Sequence, residues 1–352
     1  MDAPAIAEQL GLGRLWVKDE SSRMGLPSFK ILGASWAAFR ALEARAGQPL
    51  QDWGNVDDLG ELVHRLTPVR ILAAATDGNH GRAVARIASW LGLEASIYVP
   101  DGTAKARIEA IKGEGASVTI VDGSYEAAVV RSAAEAGDHC LVVSDTSWRG
   151  YTSIPNWVID GYSTIFAEVD ADLETSGVQA PDLVVAQIGV GALAAAVVRH
   201  FRQPDTSGPR ILGVEPTSAA CVMASMRHGG IRSVPGPHRS IMAGLNCDTP
   251  SIVAWPDVSG GIDALIAIDD DLAREGMRIF AQMGLVSGET GAAGLAGLLA
   301  VKSGEVPFIT AGLGLTEESS VLVLSTESAT DPDAYQAAVR TPATANPSAD
   351  CG

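Results

Sequence analysis

The chain has 352 residues, 47% of them hydrophobic and 19% charged, with a formal net charge of −17. That length exceeds what one core usually holds, so two α/β lobes are expected in a globular protein. The acidic balance, with no basic stretch interleaved with aromatics, argues against a nucleic-acid partner.

In chain order, the opening MDAPAIAEQL carries neither a basic region nor an apolar core, so no signal peptide is predicted. A helix is expected in LPSFKILGASWAAFRAL (26–42), with Pro27 leading, Ser28 as its cap, and Ile31, Ala34, Ser35 and Ala38 on one side. The chain then alternates. VRILAAA (69–75), EASIYVP (94–100), SVTIVDG (117–123) and HCLVVSD (139–145) read as strands. Val84, Ile87, Ala88 and Leu91 fall at helical spacing, and 103–116 and 124–137 read as further helices. A long helix is expected at about 154–173.

A second series follows: strands at 181–187, 210–216, 264–268 and 319–325, helices at 192–201 and 218–229, and a helix cap at Asp269–Asp271. Strands alternating with helices of this length imply parallel sheets and right-handed crossovers. Beyond Asp331 the chain is rich in Pro, Ala, Thr and Ser and is expected to fray. No fixed-period repeat is visible. The most apolar stretch, 183–198, contains Gln187 and two glycines and is too short to span a membrane. Cys140, Cys221, Cys247 and Cys351 show no CxxC or Cys/His ligand spacing. This predicts no metal site and a cytoplasmic protein with reduced thiols, although Cys221 and Cys247 could pair across a loop.

Three motifs carry chemistry. ATDGNHGRAVA (75–85) follows a strand and opens a helix, which turns Asp77, Asn79 and His80 toward the cleft where such folds bind ligands. AQIGVGALAAAVV (186–198) places Gly189, Val190, Gly191 and Ala192 in a turn before a helix, where backbone amides can wrap a phosphate without a lysine. The same stretch also reads GxGxxA, with Glu215 ending the next strand, so a nicotinamide-dependent oxidoreductase is a rival reading. Lys30 is expected in the first turn of its helix, where the dipole and apolar neighbours would lower its pKa and make it a nucleophile for carbonyls. Each motif alone has an ordinary explanation: a polar turn, close helix–strand packing, a surface lysine whose stem packs on apolar neighbours. Together they describe a pyridoxal 5'-phosphate (PLP) site, with a lysine for the aldehyde, an Asn loop over the ring and a glycine loop for the phosphate.

The order of these motifs resembles the PLP enzymes of fold type II, the tryptophan-synthase β fold. The closer resemblance is to the diaminopropionate ammonia-lyase family. It rests on VKDESSRMGLPSFKILGASWA, ATDGNHGRAVA, DTSWRGYTSIPNWVIDGY, IGVGALAAAV, GVEP, IMAGLNCDTPS, VSGETGAAGLAG and LSTESATDPDAY, which run in order over 17–335. The resemblance implies two Rossmann-like α/β lobes with the cofactor between them. Residues 1–36 and 150–335 would form a large PLP-binding lobe, 37–149 a small one, and 336–352 a flexible tail. It implies that Lys30 forms the Schiff base and Asn79 meets the ring hydroxyl. Gly189, Val190, Gly191, Ala192 and Leu193 would bind the phosphate. Ser325, in preference to Thr326, would meet the pyridine nitrogen.

The implied reaction is α,β-elimination of 2,3-diaminopropionate to pyruvate and ammonia, with Lys30, Asp77 and Asp145 as catalytic groups and a homodimer as the working form. Asp77 stands where dehydratase relatives carry a hydroxyl or small residue, which argues against a serine or threonine dehydratase. Glu215 either lines the cofactor pocket or packs beside it. The longer N-terminal segment expected of the family is not seen in this sequence. Pro27, Ser28, Thr290 and Ser328 also differ from the family pattern.

Overall fold

The computed structural model describes residues 1–203 and 208–340. Among the described residues nine strands form: β1 (Arg14–Asp19), β2 (Ile71–Ala75), β3 (Glu94–Pro100), β4 (Ser117–Val121), β5 (Cys140–Val142), β6 (Leu183–Gln187), β7 (Arg210–Pro216), β8 (Ala264–Ile268) and β9 (Ser320–Ser325). They make two sheets, β1-β9-β6-β7-β8 and β4-β3-β2-β5, and every pairing is parallel. Parallel strands covered on both faces read as near-continuous apolar runs, which is why ILAAA and LVVAQ stood out in the sequence. β1 pairs in parallel with β9, from the far end of the chain, so that Asp19 lies beside Ser325.

The helix Ala293–Lys302 lies under the larger sheet, with eight of its ten residues buried. Apart from Lys302 in its last turn it is apolar, as a nearly buried helix must be. The helix Lys30–Ala46 crosses Ser153–Ser176 with backbones touching. A Cβ at Gly33 would lie 2.5 Å from the Tyr162 ring and 2.7 Å from the Val158 carbonyl, and one at Gly161 would lie 2.5 Å from the Leu32 carbonyl. That crossing fixes the height of Lys30 over the cleft.

Two expectations change. Ser28 is not the cap of the Lys30 helix. Phe29 occupies that position with no side-chain cap, and Ser28 instead pairs as a β-bridge with Glu327. The tail does not fray at Asp331. Pro332–Arg340 is a helix, opened by Asp331 Oδ1 accepting from Ala334 N at 3.2 Å, and it packs Tyr335 and Ala338 into the core. The remaining tail, 341–352, lies outside the described residues.

Candidate active site

The carboxyl ends of strands from both sheets open into one cavity. Thr76, Asp77, Asn79 and His80 follow β2, and Asp145 follows β5. Gln187 ends β6, with Gly189, Val190, Gly191, Ala192 and Leu193 just beyond, while Thr326 and Glu327 follow β9. Lys30 enters from the first turn of its helix. Ligand sites in open α/β folds lie at such strand ends.

The glycine loop is built from backbone. Gly191 has φ +100° and stands just before the helix Ala192–Phe201, and a Cβ at Gly189 would lie 2.8 Å from the Gly244 carbonyl. No side chain fits there, and the amides of a helix N-terminus face the space, which is what a phosphate needs. Opposite, the site is built from charge. Lys30 Nζ donates to Asp145 Oδ2 at 2.6 Å, and Tyr125 Oη donates to Asp145 Oδ1 at 3.0 Å. His80 Nε2 lies 2.8 Å from the Val143 carbonyl. A carbonyl can only accept, so this nitrogen carries the proton. His80 Nδ1 is buried without a partner, 3.9 Å from Asp145 Oδ2.

Burial pushes the Asp145 carboxyl up, yet Lys30, His80 and Tyr125 together hold it well below the usual range. Burial likewise pushes Lys30 down, but the Asp145 carboxylate, Tyr162 and Asp77 outweigh it and hold the amine protonated. The lowered pKa expected of Lys30 from the helix dipole is therefore corrected. An ion pair at contact distance is stronger than half a helix charge. Asp77 goes the other way: burial raises it to about 6, against the pull of Arg107 and Lys30.

The structure brings together Lys30, Asp77, Asp145, Asn79 and the loop from Gly189 to Leu193. It leaves Ser325 out. Ser325 is fully buried and its Oγ donates to Ser287 Oγ at 2.9 Å, while its neighbour Thr326 lines the cavity. Successive residues at a strand end face opposite ways, so only one of the two can reach the site. Cys221 and Cys247 are free buried thiols, not a disulfide. Glu215 is wholly buried and accepts from Val222 N at 2.7 Å and Met223 N at 2.8 Å. It caps the next helix, which removes it from both the pocket and a ribose-binding role. Trp148 and Tyr151 stack with centroids 4.1 Å apart, and Tyr151 Oη joins Val142 O at 2.8 Å to Ser144 N at 3.0 Å. They build the corner that carries Asp145.

Four residues were given no site role by the sequence reading. Tyr125 fixes Asp145. Glu327, buried, accepts from Asn79 Nδ2 and from Thr290 N at 3.1 Å. Thr290 itself lines the cavity. Gln187 Nε2 donates to the carbonyls of Thr290, Gly291 and Leu324 and to Thr326 Oγ1 at 2.9 Å. An acid directly after an apolar strand, as in LSTES, was the one available signal.

These features fit PLP. The Gly189 and Gly191 cradle, which a Cβ would fill, suits the phosphate; the lysine, the Asn79 amide and the Thr326 hydroxyl suit the ring. Such a fold and site define a pyridoxal-phosphate enzyme of the α/β type. A family model described as "Pyridoxal-phosphate dependent enzyme" matches residues 1–308. The diaminopropionate ammonia-lyase of Salmonella typhimurium is 36% identical over 349 residues, 94% of this chain and 85% of that protein. That of Escherichia coli K12 is 35% identical over 344 residues, 95% of this chain and 85% of its own length. The crystal structure of the Escherichia coli enzyme with an aminoacrylate–PLP azomethine intermediate superposes with a TM-score of 0.85 at 33% identity, over 96% of this chain and 86% of that one. The chain therefore belongs to the diaminopropionate ammonia-lyase family of pyridoxal-phosphate dependent enzymes.

Proposed function

We propose that the protein converts 2,3-diaminopropionate and water to pyruvate and two ammonia. The observation that carries this reading is the pairing of chemistries in one cavity, a glycine cradle facing a lysine flanked by Asp77 and Asp145. A serine or threonine has no second ammonium for Asp77 to pair with; 2,3-diaminopropionate does.

When bound, the cofactor supplies the electron sink for the pair left at Cα. Lys30 would hold the cofactor and, once its ammonium has given up a proton, would move the α-proton at Nζ. Asp145 keeps Nζ in place and its charge balanced. Asp77 pairs with the β-ammonium and exchanges a proton with the leaving amine, or acts as base on one α-epimer. The amides of residues 189–193 would bind the phosphate. Asn79 Nδ2, held by Glu327, would hydrogen-bond the ring hydroxyl. The Thr326 hydroxyl would meet the ring nitrogen, a neutral partner suited to prompt elimination.

The same reading divides the chain into a large lobe (1–36 and 150–335) and a small lobe (37–149), and makes it a cytoplasmic homodimer of amino-acid catabolism. No described helix is long and apolar enough to cross a membrane. The test is the stoichiometry of turnover by PLP-loaded protein on D- and L-2,3-diaminopropionate. Two ammonia per pyruvate supports the assignment, and absence of any 2-oxo acid contradicts it.

A further inference from the structure

Gln187, the last residue of β6, lines the cavity and is only 3% exposed. Its Nε2 lies among four oxygens: the carbonyls of Thr290 at 3.2 Å, Gly291 at 3.3 Å and Leu324 at 3.2 Å, and Thr326 Oγ1 at 2.9 Å. A carbonyl can only accept, so three of the four settle which end of the amide is the NH2. The arrangement has a cost. Gln187 Oε1 is buried with no hydrogen-bond partner, and a Cβ at Gly294 would lie 3.0 Å from it. A buried acceptor without a donor destabilises the fold, and an apolar side chain here would avoid that.

The consequence falls on Thr326. Its Oγ1 makes the shortest of the four contacts, and an amide nitrogen can only donate, so this hydroxyl accepts from Gln187. The hydroxyl's own proton is left for another partner. Thr326 is 2% exposed, and among the described residues its Oγ1 donates to no protein acceptor. The residue lines the cavity, so the proton is available there. The backbone holds it still: Thr326 O accepts from Phe29 N at 3.3 Å, next to Lys30.

We propose that Gln187 is a positioning residue: by donating to Thr326 Oγ1 it turns the threonine's proton toward the cofactor's ring nitrogen, which is thereby held unprotonated. Thr326 would act there as donor and not as acceptor. A protonated nitrogen would need Oγ1 as its acceptor, and would leave the hydroxyl proton buried without one. An unprotonated ring is the weaker sink for the electron pair at Cα, which favours loss of the β-amino group over return of the proton. This inference rests on the proposed function for the placement of Thr326 at the ring nitrogen, and on the contacts above for the direction of its hydroxyl.

The test is ¹⁵N NMR of the protein loaded with PLP labelled at the ring nitrogen, with free PLP in acid and in alkali as the protonated and unprotonated references. The parent should show the unprotonated position at neutral pH. In Gln187→Met the hydroxyl is free to give its proton to a carbonyl that the amide has left. The midpoint of ring protonation should then rise by roughly one pH unit, a tenfold gain in protonated fraction on the alkaline side. Lost packing alone would lower stability without moving that midpoint. Thr326→Val should move the signal, because it removes the contact itself, and Thr326→Ser should keep the parent's position. A parent nitrogen protonated at neutral pH, or a midpoint unmoved in folded Gln187→Met, overturns the proposal. A midpoint that stays below the acid limit of folding in both proteins counts as unmoved. If Gln187→Met does not fold, Gln187→Asn, whose amide ends a methylene short of Thr326, decides by the same criterion. A signal indifferent to Thr326→Val removes that threonine from the ring nitrogen, and the proposal with it. If the signals behave as stated while no pyruvate forms from 2,3-diaminopropionate, the ammonia-lyase reading fails and the Gln187–Thr326 linkage stands.

Discussion

The two walls of the cavity are made differently. The wall at 189–193 is backbone: a turn, a positive φ at Gly191 and the start of the helix Ala192–Phe201, with apolar side chains turned into the core. The opposite wall is side chains from distant parts of the chain. Lys30 meets Asp145 over a separation of 115 residues, and Asn79 meets Glu327 over 248. The backbone wall is fixed as soon as strand and helix pack. The charged wall exists only when both lobes are in place, and each of its groups sets the protonation of the next. On the proposed function, binding falls to the first wall and selection to the second.

The largest effect should come from removing the lysine. Lys30→Ala should cut turnover by about 10⁴-fold or more, the scale of losing a covalent catalytic group. PLP should still be retained through the phosphate wall, read by absorbance after gel filtration. Loss of both together would mean the two walls are not separable. Gly189→Val should do the reverse. With the Gly244 carbonyl 2.8 Å from a Cβ, the turn must open, and PLP affinity should fall by about 100-fold, the cost of one displaced, strained turn at about 2–3 kcal/mol. Titration of cofactor-free protein with PLP measures this. An affinity near the parent's would show that the loop does not grip the phosphate.

Asp77→Asn separates epimers. If Asp77 and Lys30 work opposite faces of the substrate, D- and L-2,3-diaminopropionate should lose kcat/KM unequally, by roughly 10²-fold or more for the epimer that uses Asp77 as base. Equal loss for both would remove that role and leave only β-ammonium pairing. The same variant has a smaller effect on stability. Burial raises Asp77 from the usual 3.8 to about 6, so its ionised form burdens the folded state. Below about pH 4 the group is protonated in both states and costs nothing. The cost grows through that window and is complete above about pH 6, at about 3 kcal/mol. Cofactor-free Asp77→Asn should therefore be more stable than the parent at pH 8 and indistinguishable at pH 4, by urea unfolding. A gain that is the same at both pH values would remove the ionisation argument.

This contrast also explains what could be read from the sequence. Buried parallel strands are apolar runs, so β3, β7 and β8 were legible to the residue, and GVGA betrayed its turn because backbone sites demand glycine at fixed spacing. Lys30, Asp77 and Asn79 were legible as residue types at strand and helix ends. Their charge states were not. The ordinary reading of Lys30 used its own helix; the answer lay in Asp145, beyond another sheet. Ser325 and Thr326 could not be told apart because adjacent residues leaving a strand differ only in the face they take, which packing against Ser287 decides. Glu327 and Gln187 were missed because their work is to hold other residues, and no local pattern marks that.

The most direct measurement is discrimination by the PLP-loaded protein between 2,3-diaminopropionate and L-serine or L-threonine, read as 2-oxo acid release. The account predicts pyruvate from diaminopropionate and little product from the hydroxy amino acids, because Asp77 finds a second ammonium only in the first. Preferential turnover of serine or threonine would contradict it, leaving the backbone wall as described and stripping the charged wall of the selective role given to it here.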